Sequence, residues 1–120
     1  AGGDAGALHR HAGQINTGFA TPTAAAPPSP QAFSLREANT YCLELEHDGF
    51  RDWRLPSKEE ALYALFKGMW GPFDVNQNVS FWTTTPERNS NGGHNWICID
   101  PSFTMYATEA RNSYQARCIR

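Results

Sequence analysis

Arg88, Arg111, Arg117 and Arg120 stand in the second half of the chain, interleaved with Tyr106 and Tyr114. Guanidinium forks grip sulfate and carboxylate groups through paired hydrogen bonds, and phenol rings offer flat apolar faces for stacking on sugars. Arg88, Arg111 and Arg120 with Tyr106 and Tyr114 therefore form a candidate binding set for an acidic polysaccharide. The competing explanation is architectural. Arg54 and Arg117 would hold loops by hydrogen bonding, and the remaining arginines would simply be solvated.

Other reactive residue types point to less. His9 and His11 could turn two imidazoles toward a metal, but Asp4 is the only acid near them and a structural site needs four ligands. His47 and His94 stand alone, and no metal or cofactor is expected. Glu59 and Glu60 are adjacent, so on a helix they point apart, and Glu60 has a capping role. No nucleophile elbow, His-Glu-x-x-His pair or phosphate loop is present, so the chain reads as non-enzymatic. Three cysteines, Cys42, Cys98 and Cys118, mean one bridge and a leftover thiol, or an intermolecular bond, in a secreted protein. In a reducing cell they would be three small buried hydrophobes.

The elements that must position these residues follow from composition and pattern. With 120 residues, 12% aromatics and thin aliphatic content, the chain suits one irregular, loop-rich domain better than a helical bundle. A net charge of −2 argues against a nucleic-acid binder. No apolar run approaches a membrane span. The start at Ala1 suits a processed protein or a piece of a longer one. Residues 1–32 are rich in Ala, Gly and Pro and read as an extension or linker, with one short strand over Gln14 to Ala20.

Two helices are well signalled. Ser34 with Glu37, and Ser57 with Glu60, are capping boxes, and Phe33 with Ala38 forms a hydrophobic staple. The first helix should bury Leu35, Ala38, Cys42 and Leu45, with Gly49 beyond its end. The second should bury Ala61, Leu62, Leu65 and Phe66 and stop at Gly68. Between them Phe50 to Leu55 is extended and ended by Pro56. Later strands are expected over Val79 to Thr84 (ended by Pro86), Asn95 to Asp100, Phe103 to Thr108 and Tyr114 to Arg120, with an exposed turn from Glu87 to His94. Two early helices followed by antiparallel strands define an α+β domain.

One order of motifs carries a resemblance: Tyr41-Cys42 on a helix, Trp53-Arg54-Leu55-Pro56-Ser57 opening a second, then Phe81-Trp82-Thr83-Thr84-Thr85-Pro86, Trp96-Ile97-Cys98-Ile99-Asp100 and a final Arg117-Cys118-Ile119-Arg120. Over residues 33–120 this resembles the C-terminal domain of the bacterial collagen-like adhesin Lcl and its relatives, with a C-type-lectin-like fold. The resemblance implies two helices on a small antiparallel sheet with long loops, and a bridge from Cys42 to Cys118 that leaves Cys98 free and inert. Trp53, Arg54, Leu55, Pro56, Trp82 and Trp96 would be structural. Calcium-dependent lectins carry Glu-Pro-Asn or Gln-Pro-Asp and then Trp-Asn-Asp, whereas this chain has only His94-Asn95-Trp96, so any sugar binding should be calcium-independent. The formylglycine-generating enzyme, which shares the fold, needs a redox-competent cysteine pair that a committed Cys118 would deny. The implied function is an extracellular surface module for adhesion or recognition, oligomeric, with acidic or sulfated glycans as ligands. The alternative is a structural subunit of a filament, pilus or phage particle in which residues 1–32 dock onto neighbours.

Overall fold

The computed structural model describes residues 18–71, 80–88, 90, 92–100 and 102–120. The expected strand from Gln14 and the His9/His11 pair fall largely or wholly outside them; Gly18, Phe19 and Ala20 belong to no strand. The architecture is α+β: two helices, then a three-stranded antiparallel sheet in the order β1-β2-β3.

Helix α1 spans Leu35–Glu44 and helix α2 spans Lys58–Phe66. Both open on the expected capping boxes: Ser34 Oγ accepts from the Glu37 amide, and Ser57 Oγ accepts from the Glu60 amide. The glutamate of each box reaches back to the cap amide, so two otherwise orphaned donors are satisfied at each end. Helix α1 buries Leu35, Ala38 and Cys42 as expected, with Leu45 half-buried as the cap beyond its end. Gly49 does not close it. Asp48 and Gly49 both take positive φ, 52° and 81°, and form a two-residue turn in which His47 and Phe50 exchange backbone hydrogen bonds.

The inward face of α2 differs from the expected stripe. Glu60, Ala61, Ala64 and Leu65 are buried, Leu62 is half-buried, and Phe66 is 82% exposed. The Glu60 carboxylate must meet Arg54 inside the domain, and turning it inward rotates Phe66 to the opposite side of the helix. Gly68, at φ 67°, ends α2 as read.

Strand β1 spans Phe81–Arg88, β2 His94–Ile99 and β3 Met105–Thr108. Pro86 does not end β1, which runs on to Arg88. The strand lies at the edge of its sheet and its register shifts between Trp82 and Pro86, the setting in which a residue without an N–H is tolerated. The turn expected from Glu87 to His94 is correspondingly shorter. Strand β3 starts at Met105 rather than Phe103, because Phe103 sits at φ 71° in the turn that leads into it. The Asp100 carboxylate holds that turn by accepting from the amides of Ser102 and Thr104 and the Ser102 hydroxyl.

The last segment is not a strand of the sheet. Its backbone meets four different partners: Tyr114 pairs with Phe33, Gln115 with Phe81, and Ile119 with both Ala25 and Arg54. No single neighbour runs beside it long enough for a ladder, yet its hydrogen bonds are made. It threads the centre of the molecule, where Ala116, Cys118 and Ile119 are fully buried.

This threading also revises the N-terminal boundary. The amides of Ala24, Ala26 and Ser29 donate to the carbonyls of Arg120, Cys118 and Ala116, and the Ala116 amide donates to Ser29 Oγ. Small residues and prolines let this strap lie flat against the C-terminal segment, so from Ala20 onward the stretch read as a linker belongs to the domain.

Alternation along β1 and β2 buries both faces of the sheet. Trp82 and Cys98 join Leu35, Ala38, Cys42, Trp53, Leu55 and Cys118 in one core cluster, and Phe81, Ile97 and Ile99 join Ala61 and Leu65 in the other. Trp96 packs half-buried on the first.

Candidate functional site

The Trp53 to Ser57 segment is architectural throughout. Trp53 and Leu55 are 2% and 1% exposed, and the Trp53 indole donates to the Phe50 carbonyl. Arg54 exchanges backbone hydrogen bonds with Ile119, and its guanidinium meets Glu60 Oε1 at 2.6 Å inside the domain. Its other fork reaches the Ala20 carbonyl at 3.3 Å, while the Ala20 amide donates to Glu60 Oε2. One buried ion pair thus ties α2, the C-terminal segment and the N-terminal strap together.

Cys42 and Cys118 form a disulfide that joins α1 to the C-terminal segment. Disulfides persist in oxidising compartments, so this bond is compatible with a secreted or extracellular protein. Cys98 is free and fully buried, and burial pushes its thiol from the ordinary 9.0 up to about 12. A thiol that does not ionise is a poor nucleophile. In the folded protein Cys98 should resist a disulfide probe at pH 8 and react promptly once denaturant is added; fast labelling without denaturant would contradict this. Because the folded value is the raised one, the thiol's contribution to stability is intact below about pH 9 and lost as pH rises toward about 12.

The five arginines and tyrosines read as a binding set occupy different settings in the fold. Tyr106 and Tyr114 are half-buried rings in an edge-to-face series, with Tyr114 5.2 Å from Trp82 and 6.0 Å from Tyr106. Burial pushes the Tyr106 hydroxyl up to about 12. Both tyrosines pack against the core cluster while remaining partly exposed. Arg120 grips Asp52 through Nε and Nη2, at 2.6 and 3.1 Å, and lies 3.6 Å over the Phe50 ring. It closes the C-terminus. Arg117 is buried beside Phe81 and Trp70, where desolvation lowers its pKa to about 10 and leaves it charged at neutral pH.

Arg88 and Arg111 remain at the surface. Arg88 pairs across the sheet with His94, at the end where Trp96 pairs with Thr108 and the chain leaves β3 for Arg111. Among the described residues Arg111 is paired only with exposed Glu109, at 3.0 Å, and exposed pairs of this kind contribute little to stability. This polar end of the sheet, with Arg88, His94 and Arg111, is what the fold leaves of the expected site. Sequence order alone could not separate the sets, because nothing in it says which arginines find an internal acid or ring.

Among the described residues no group of three His, Cys, Asp or Glu side chains is placed to hold a metal, and no helix is long and apolar enough to cross a membrane. No model of a known protein family matches this chain, and no curated protein matches it.

Proposed function

We propose that this domain is an extracellular, non-enzymatic recognition module that binds acidic glycans without calcium through the Arg88/Arg111 end of the sheet. The observation that carries the reading is the division among the arginines. Arg54, Arg117 and Arg120 are committed to acids, rings and backbone, whereas exposed Arg88 makes no ion pair among the described residues and shares its end of the sheet with Arg111. Guanidinium groups on such an end suit sulfates and carboxylates spaced along an extended polymer. The disulfide supports placement outside the cytoplasm.

Titration with a sulfated polysaccharide in the presence of a chelator tests it. Binding should persist, weaken as salt is raised, and fall about tenfold in the Arg88→Ala/Arg111→Ala variant, an effect of about 1.4 kcal/mol. Absence of binding across a panel of acidic glycans would remove the reading. The alternative is a structural subunit in which residues 1–32 dock onto neighbours; of these, the strap from Ala20 also bonds to its own domain.

A further inference from the structure

We propose that the exposed face of α1 is a self-association surface, on which α1 of a second copy of this chain packs antiparallel across a twofold axis at Thr40. Phe33, Arg36, Glu37, Thr40, Tyr41 and Glu44 line an open hollow of about 400 Å³ along this helix. Its apolar part is the Phe33 ring resting on Tyr41, with centroids 5.4 Å apart. The Phe33 backbone is fixed on three sides: it exchanges hydrogen bonds with Tyr114, and its carbonyl also accepts from the Trp82 indole. The surface is therefore rigid before any partner arrives.

Two charges identify the occupant. Arg36 and Glu44 are exposed, and among the described residues neither makes an ion pair or a side-chain hydrogen bond. Both oppose the helix dipole, Arg36 lying in the first turn near the positive end and Glu44 being the last residue at the negative end. Alone, the helix would be better served by the reverse arrangement. Residues 36, 40 and 44 step by four along one ridge, so an antiparallel copy centred on Thr40 sets each Arg36 against Glu44 of the other. The same geometry carries each Arg36 to the negative end of the facing helix, and each Glu44 to the positive end. The pattern is self-complementary, as a twofold interface requires.

Ten residues of helix bury less than a standard interface, so the pairing should be concentration-dependent and salt-sensitive. The proposal does not depend on glycan binding. Sedimentation of the whole chain over a range of concentrations, at low and high salt, reads it. Dimers should form at low salt and dissociate as salt rises. Arg36→Glu and Glu44→Arg should each raise the dimer dissociation constant at least tenfold. The Arg36→Glu/Glu44→Arg double variant should recover part of the loss, since the ion pairs re-form while each charge meets the unfavourable end of the facing helix. Each single change favours the isolated helix through its dipole, so circular dichroism should show both variants folded. A monomer at millimolar concentration, a trimer, a dimer indifferent to the single changes, or a double variant that stays dissociated would overturn the proposal.

Discussion

Replacing Cys42 and Cys118 together by alanine will lower the unfolding free energy by about 4 kcal/mol, the chain-entropy value for a loop of this size. The bridge spans a sequence separation of 76 and both sulfurs are fully buried, so the cavity left by the two changes adds to the lost constraint. Domains of this length are stable by only about 5–15 kcal/mol, so much of the margin goes. Denaturant titration of the wild type with and without reductant, beside the double variant, measures it. The reduced protein should lose less than the variant, because its two thiols still fill the core. A reduced protein as stable as the oxidised one would show that packing alone holds α1 to the C-terminal segment.

Glu60→Gln should cost about 3 kcal/mol, because it leaves the Arg54 charge inside the domain without a counter-charge. The carboxylate also accepts from the Ser57 and Ala20 amides, so the amide side chain disturbs the helix cap and the strap at once. Removing both charges in Arg54→Met/Glu60→Gln should recover part of the loss, with a coupling of about 1–3 kcal/mol in the double-mutant cycle. The signature of the triple role is local: the Ala20 amide should exchange with solvent much faster in Glu60→Gln than in wild type. Unaltered exchange there would mean the strap is held by its bonds to the C-terminal segment alone.

The helices were legible because capping is a local device. Ser34 with Glu37 and Ser57 with Glu60 announce two helix starts within four residues each, and the structure has both. The alternation from Trp96 to Ile99 likewise placed β2 to within a residue. What sequence hid was the identity of distant partners. The segment from Tyr114 has the composition of a strand, but its partners come from Phe33, Phe81, Ala25 and Arg54, which only the folded chain brings together. Phe66 looked like core until the inward demand of Glu60 turned it out. The surroundings of the candidate binding set were hidden in the same way. Asp52, 68 residues from Arg120 along the chain, claims that guanidinium, and Trp82 packs edge-to-face with Tyr114.

The strap and the disulfide have a mechanical consequence. The N-terminal strap runs antiparallel to the last segment, with Ala24 against Arg120 and Phe33 against Tyr114, so tension applied through the two ends would peel them apart one hydrogen bond at a time. On the C-terminal side the peel halts after Ile119 and Arg120, because Cys118 is anchored to Cys42. On the other side it halts at Cys42 itself. Beyond that point the load passes directly across the sulfur bridge, and α2, the sheet and the Arg88/Arg111 end carry none of it. A domain pulled between two attachments would give up the strap and the first turns of α1, then hold at the sulfur bridge.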